Sequence, residues 1–552
     1  MRRTALLLSL LLLSSLALGA QIRFEDIAEK AGLKFTLNNG ASGGFHQIEL
    51  MPGGVGVIDF NRDGCMDIFF TNGAASPSLD KSQPEFHNRL FQNDCKGHFT
   101  DVTDRAGLAG SGYSMAVAIA DYDNDGFPDI FVAGVDRNIL YHNQGDGTFK
   151  DVTRQAGLEG IDPTYGKMWS VSAGWFDADN DGWLDLFVSN YVGWDPKHEP
   201  MCGLGANRFY CHPDAYPGRP NQLFRNNHDG TFTDISRSSG IANSIGKGMG
   251  VVFGDYNHDG RMDVFVANDS VRNFLFENEG GGKFREVGLE AGVSLGESGR
   301  PVAGMGADFR DIDNDGLPDI VLTGMINDSF LVFRNLGKPY FFEDHTLASG
   351  LEGATRQLTG WGMGAFDFDN DGWKDLFFAN AHFPNLEKLL GAPTPLACSI
   401  FRNTGGGRFQ DVSASAGESF QHAAFYRGAA FADFDGDGRL DVVVSALNEP
   451  ARLYRNVTAD AGHWLAIRLV GTKSNRDGIG AQLRATLPDG TVLYNHATTS
   501  VGYASSSEPL VRFGLAKQTR VKELRVTWPS GHEQIIEDAA ADRIIEVRES
   551  LY

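Results

Sequence analysis

Between residues 55 and 445 the chain repeats one pattern of apolar and polar positions. An apolar run punctuated by glycine, such as Gly248-Met-Gly-Val-Val-Phe-Gly254, meets a nine-residue acidic window. A second apolar run, Val264-Phe-Val-Ala267, follows at once. These runs are short, rich in β-branched and aromatic residues, and stop at Asn or Gly, so they predict buried strands rather than helices. A third strand follows in each unit, as in Asn88-Arg-Leu-Phe-Gln-Asn93, Asn138-Ile-Leu-Tyr-His-Asn143, Asn221-Gln-Leu-Phe-Arg-Asn226 and Asn273-Phe-Leu-Phe-Glu-Asn278. A glycine hairpin such as Gly145-Asp-Gly147 then leads to a fourth strand, Thr148 to Thr153, with parallels at Phe99, Phe232 and Phe409. Four antiparallel strands per unit and seven units predict an all-β chain whose main body is a seven-bladed β-propeller. The last unit lacks its fourth strand, and a lone strand of that type, Ile22 to Ile27, opens the chain. That strand is expected to complete the seventh blade, so that no sheet edge stays unpaired.

The windows carry the chemistry. Their first, third, fifth and ninth positions are Asp59, Asn61, Asp63 and Asp67; Asp121, Asp123, Asp125 and Asp129; Asp177, Asp179, Asp181 and Asp185; Asp255, Asn257, Asp259 and Asp263; Asp311, Asp313, Asp315 and Asp319; Asp367, Asp369, Asp371 and Asp375; and Asp433, Asp435, Asp437 and Asp441. A glycine holds the sixth position. A loop turning at that glycine aims its acids inward and forms an oxygen shell for a hard cation, of which Ca²⁺ is the usual occupant. Without a cation, carboxylates this close repel strongly. An EF-hand is excluded, because its twelfth position needs Glu and its flanks need helices; here that position is apolar, from Phe70 to Val444. Up to seven structural Ca²⁺ ions are expected. They would cancel more than half of the formal net charge of −23, so the acidity is largely internal and argues against a nucleic-acid partner.

Strand order assigns faces. Windows and glycine hairpins share one end of the blades. Second-to-third loops share the other, and the three long insertions, residues 73–87, 191–220 and 381–398, all belong there. They bring Trp194, His198, His212, Tyr216, His382 and Phe383 to one face, where a ligand site is expected. Asn72, Asn190, Asn268, Asn380 and Asn448 recur at the same end, either as ordinary turn residues or as a ring that lines a ligand, with turn chemistry the simpler reading. Two disulfides are expected, Cys65–Cys95 across one strand pair and Cys202–Cys211 within one loop, leaving Cys398.

Residues 1–20 read as a signal peptide: Arg2 and Arg3, an apolar run from Ala5 to Leu13, and small residues near position 20. No Cys follows the cleavage region, which argues against a lipidated start, and no other stretch predicts a membrane span. The expected location is secreted or periplasmic. The repeats occupy residues 21–457; a second β domain, a small sandwich without windows, is expected over 463–549.

The repeats resemble the FG-GAP/VCBS repeats of integrin α-chain propellers. Gly471-Thr-Lys-Ser-Asn-Arg-Asp-Gly-Ile-Gly480, Gly502-Tyr-Ala-Ser-Ser-Ser-Glu-Pro509, Phe513-Gly-Leu515 and Trp528-Pro-Ser-Gly531 resemble the ASPIC/UnbV domain. The pairing is similar to cartilage acidic protein-like secreted proteins. The resemblance implies calcium binding and export but no agreed activity, and no EGF-like tail follows to carry over a matrix role. The leading functional expectation is a calcium-stabilised scaffold that binds an extracellular protein, glycan or cell-surface ligand through its loop-rich face. One alternative is an enzyme of lyase, isomerase or hydrolase type, with an axial site on that face using His198, His212, His382, Asp269 and Asp328, although the sequence holds no catalytic signature. The other is carbohydrate binding by Trp464, Tyr503 and Trp528 of the C-terminal domain.

Overall fold

The computed structural model describes residues 20–203 and 208–550; the expected signal peptide lies outside the described residues, apart from its last position. Seven four-stranded sheets follow one another along the chain. In the fourth blade the strands are Gly248–Gly254, Asp263–Asn268, Phe274–Gly280 and Lys283–Glu286, each antiparallel to the next. Each window joins a first strand to a second, pairing as Gly254 with Asp263 in that blade. Phe24–Asp26, from the start of the chain, pairs antiparallel with Arg452–Asn456 and supplies the fourth strand of the seventh sheet. Arg452 Nη1 reaches Asp26 at 2.8 Å to hold it there. The first and seventh blades also meet: Ser445 Oγ, on the second strand of the seventh, donates at 2.7 Å to the carbonyl of Gly53, just before the first strand of the first.

Between neighbouring blades the innermost strands approach closely because small residues stand where they touch. A Cβ on Gly250 would lie 2.6 Å from the Met305 carbonyl oxygen. The sixth residue before each window forms a ring at the loop-rich end of the axis: Gly53, Met115, Val171, Met249, Met305, Trp361 and Arg427. All seven are buried, and only Arg427 is charged.

The C-terminal domain consists of two sheets. His463–Val470 lies between Val511–Ala516 and Arg543–Arg548, the latter parallel to it; Gln482–Thr486 lies between Val492–His496 and Arg520–Thr527, and Glu533–Ala540 flanks the last. They share a core of Leu465, Ile467, Leu483, Leu524 and Trp528, as a sandwich requires.

This domain sits on the window end of the propeller. Asp121 N donates to Asp477 at 2.9 Å, Arg476 N to Asn124 at 2.8 Å, and Ala516 N to the Asn370 carbonyl at 2.8 Å. From between its strands, residues 497–509 descend as a finger into the axis. Ser500 and Ser506 pair antiparallel across it. Val57 N donates to Ser506 O at 2.9 Å, Ser506 N to Val55 O at 2.9 Å, Val117 N to Ala504 O at 3.1 Å, Gly502 N to Ala307 O at 2.8 Å and Glu508 N to Phe431 O at 3.1 Å. The innermost strands of four blades thus hydrogen-bond to the finger, satisfying backbone groups that would be orphaned in a dry channel. At the tip Gly502 has φ of 74°, and a Cβ there would fall 2.4 Å from the Met363 carbonyl oxygen, so only glycine fits. Tyr503 then reaches the far end and donates its hydroxyl to Met51 O at 2.7 Å.

Candidate metal loops and the axial face

In each window backbone geometry and carboxylate placement are one construction. In the third, Asp177 Oδ1 accepts from Asp181 N at 3.0 Å and its Oδ2 from Gly182 N at 2.9 Å; Asp181 accepts from Trp183 N at 2.9 Å. Gly182 has φ of 89°, which the turn requires. The ninth acid is the deepest. Asp185 accepts from Asn226 N at 2.8 Å, tying the window to the end of the third strand, and from Ala178 N at 2.9 Å. The same Asn tie recurs at Asn93, Asn143, Asn278, Asn335, Asn403 and Asn456.

The acids converge. One oxygen each from Asp121, Asp123 and Asp129 lie within 4.8 Å of one another, as do those of Asp177, Asp179 and Asp185, and of Asp311, Asp313 and Asp315. Burial pushes Asp67 and Asp121 up to about 8 and Asp177 up to about 7, with neighbouring carboxylates adding to the rise. Asp59 Oδ1, Asp179 Oδ1, Asp311 Oδ1 and Asp369 Oδ1 are buried and accept no hydrogen bond. Buried, unsatisfied and mutually repelling oxygens fit a hard divalent cation, which removes all three penalties together.

A second group of residues belongs to these loops and was missed in the sequence reading. The residue before the tying Asn is His142, Arg225, Arg334, Arg402 and Arg455 in the five blades whose window has Asp at its third position. It is Gln92 and Glu277 in the two blades where that position is Asn61 and Asn257. His142 Nε2 lies 2.8 Å from Asp123, Arg334 Nη2 2.6 Å from Asp313 and Arg402 Nε 2.8 Å from Asp369; Arg455 contacts Asp435. Four of the five bases thus contact the third acid of their own window. The signal was present in the sequence as a correlation between two repeat positions 19 to 46 residues apart.

The expected disulfides are formed, Cys65 with Cys95 and Cys202 with Cys211, and Cys398 is buried and free. The loop-face residues separate into two groups. Trp194 Nε1 and the Tyr216 hydroxyl both donate to Glu199, and Phe383 packs edge-on against Trp361 with centroids 5.7 Å apart. His198 and His212, with side chains 81% and 60% exposed, stand in solvent beside Asp195 and Asp214. His382 is buried and bonds the Thr359 hydroxyl at 2.8 Å. The histidines are therefore not gathered into one catalytic set: two stand in solvent and the third is buried against Thr359. Of the acids named with them, Asp328 accepts from Ala303 N at 3.3 Å and Asp269 is buried against the Tyr191 hydroxyl at 2.6 Å.

What gathers at this end of the axis is a set of tyrosine–carboxylate pairs. Besides Tyr191–Asp269 and Tyr216–Glu199, Tyr210 donates to Glu49 at 3.0 Å, and burial holds Glu49 above the usual carboxylate range. The recurrent asparagines staple loops rather than face a ligand: Asn72 Nδ2 donates to His87 O at 3.1 Å and Asn190 Nδ2 to Pro220 O at 3.1 Å. The carbohydrate reading of the C-terminal domain is also corrected. Tyr503 and Trp528 are buried, one in the axis and one in the domain core, and Trp464 lies against Gly438 and below Arg512 at 5.5 Å.

A windowed propeller capped by a β domain defines a class, and sequence profiles agree with it. The FG-GAP-like repeat profile matches residues 59–132, 121–188, 214–266, 255–322, 311–378 and 367–444, and that of the ASPIC and UnbV family matches 471–551. The chain belongs to the FG-GAP-like repeat proteins that carry an ASPIC and UnbV domain. Cartilage acidic protein 1 of Xenopus tropicalis is 27% identical over 510 residues, covering 87% of this chain and 70% of the relative; that of Homo sapiens is 26% identical over 520 residues, covering 90% and 72%. Among solved structures, YCF48 bound to D1 peptide has a TM-score of 0.41 at 8% identity, covering 80% of this chain and 99% of that one. An Agrocybe aegerita lectin that recognises non-reducing terminal N-acetylglucosamine has a TM-score of 0.38 at 16% identity, covering 73% and 89%.

Proposed function

We propose that this protein is an exported, calcium-binding propeller scaffold that holds a protein or glycan ligand on its loop-rich face. The single observation that supports this is which face remains open. The C-terminal domain covers the window end, and its finger fills the axis. The opposite end carries the long loops, with Trp194, Tyr210 and Phe383 partly exposed around buried acids. Calcium acts on stability in this reading: a cation bound only by folded windows stabilises by mass action, and extracellular sites of this kind bind at roughly 10⁻⁴ to 10⁻³ M. Export agrees with the two disulfides, which persist in oxidising compartments. No helix among the described residues is long and apolar enough to cross a membrane.

The test is a glycan and protein array probed with the full chain and with a Trp194→Ala, Phe383→Ala variant. Binding that survives in the variant sinks the loop-face assignment. Calcium is tested separately: chelator lowers the melting temperature and calcium restores it, and a melting curve indifferent to both removes the metal from the account. Asp181→Ala lowers the melting temperature in calcium while leaving array binding intact.

A further inference from the structure

The two domains do not close on each other everywhere. Beside the first two windows they leave a cavity of about 360 Å³, within the range of small-molecule sites. Arg62 and Asp121 of the propeller face Arg468 and Arg476 of the C-terminal domain across it, and Ile119 and Leu510 give it an apolar wall. The guanidiniums are poorly paired. Arg62 has no carboxylate within 4 Å among the described residues and lies over the Phe127 ring at 5.2 Å. Arg468 stands 4.0 Å from Asp59, and Arg476 stands 3.8 Å from Asp121. Two of them also converge: a Cβ on Gly126 would lie 3.1 Å from Arg62 Nη1 and 3.2 Å from Arg476 Nε. Like charges brought side by side in a partly enclosed space repel unless an anion lies between them. The carboxylates that line the cavity are otherwise engaged: Glu546 pairs with Arg548 at 3.4 Å and Asp63 belongs to the first window. Asp477 accepts from Asp121 N at 2.9 Å, and Asp121 and Asp59 are the first acids of two windows.

We propose that this interdomain cavity binds a compact organic anion, with a carboxylate, sulfate or phosphate group held between Arg62 and Arg476 and a body of monosaccharide size against Ile119 and Leu510. Guanidinium is suited to such groups because its planar fork meets two oxygens at once. The volume excludes a bulky ligand, and the apolar wall leaves room for more than a bare ion. The site is separate from the loop-rich face, and it gives the joint between the domains a ligand of its own.

The test is calorimetric titration of the full chain in calcium at constant ionic strength with glucuronate, its methyl glycoside, glucose 6-phosphate and glucose. At least one anionic probe is expected to bind and glucose is not. Equal binding of the methyl glycoside marks the end of a glycan, and preference for free glucuronate or the phosphate marks a metabolite; both support the cavity. Arg62→Asn is the decisive variant. Asn stands at the equivalent place in four other windows, as Asn124, Asn180, Asn314 and Asn370, and carries the same positive φ there, so folding is preserved. Arg62→Asn and Arg468→Gln are each expected to weaken the anion at least tenfold with the melting temperature unchanged. The proposal is overturned if no anion binds more tightly than glucose, or if both variants bind it as the parent does. Repeating the titration in chelator separates this site from the calcium reading: an arginine-dependent affinity that persists there supports the cavity on its own.

Discussion

Arg402 lies across the sixth window, with Nε 2.8 Å from Asp369 and Nη2 2.6 Å from Asp371. One guanidinium therefore balances two of the four acids before any cation arrives. Its counterparts Arg334 and Arg455 do the same for Asp313 with Asp315 and for Asp435 with Asp437. Where the third acid is Asn, the base is absent. The balance is thus set window by window.

That pairing predicts opposite effects of one substitution in two solutions. Arg402→Gln removes a partner from two partly buried carboxylates, so the chelated protein is expected to lose roughly 1–3 kcal/mol, the cost of leaving such groups unsatisfied. In saturating calcium the loss is smaller, because the cation takes the acids over. Thermal melts in chelator and in calcium measure both. Equal losses in the two solutions remove the charge-balance account.

Tyr503 anchors the finger at the far end of the axis. Tyr503→Phe deletes only the bond to Met51 O and is expected to cost about 1 kcal/mol. Tyr503→Ala empties a buried site beside Trp361, whose ring centroid lies 5.3 Å away, and is expected to cost about 3–5 kcal/mol. Denaturant melts of both variants check the ratio. If the alanine variant is no worse than the phenylalanine one, the finger does not fill the axis in solution.

Arg427 is a buried cation with no carboxylate partner among the described residues. It donates to Leu50 O at 2.7 Å and Tyr426 O at 2.8 Å, its Cζ lies 3.9 Å over Trp361, and Nη2 is unsatisfied. Burial pulls it down to about 9. The equivalent place in three other blades is methionine. Arg427→Met is therefore expected to equal or exceed the parent in melting temperature, as replacing a buried charge by a packed hydrophobe often does. A clear loss would mean that the guanidinium bonds outweigh its desolvation.

His496 stands at the root of the finger, its Nε2 3.2 Å from Phe253 O. Burial, with Arg310 and Lys374 adding to it, holds the ring down at about 3. The unfolded chain therefore takes up a proton below about 6.5 that the folded one refuses. The stability associated with this neutral ring is present above that pH and is lost as pH falls toward 3. His496→Gln, which keeps a donor, is expected to flatten the decline of melting temperature between pH 6.5 and 4. An unchanged slope would place the acid sensitivity elsewhere.

The local pattern carried far. A nine-residue window is closed by its own backbone, as Asp177 and Gly182 show, so its chemistry is written in consecutive residues. The meander order followed because each blade pairs neighbours in sequence, and the lone strand at Phe24 was legible because an unpaired fourth position at Asn456 called for it. The basic residues at the third strands were also legible in principle, since they vary with Asn61 and Asn257, but their partners lie 19 to 46 residues away and a window read alone conceals them. The histidines of the loop face misled for the complementary reason: a loop's residues share a face without sharing a point, and His198 and His382 end in solvent and in the core.

The sequence by itself determined the blades, the acid windows, the closing strand and the two disulfides, because each rests on contacts between chain-adjacent strands or on a repeat that announces its partner. Only the tertiary structure decided that residues 497–509 run through the axis, that the C-terminal domain covers the windows, and that Arg62 and Arg476 meet across a cavity. Those contacts join residues hundreds of positions apart, as Met51 and Tyr503 do. A small-residue finger has no periodicity of its own, and its place is fixed by the one channel whose backbone groups it can satisfy.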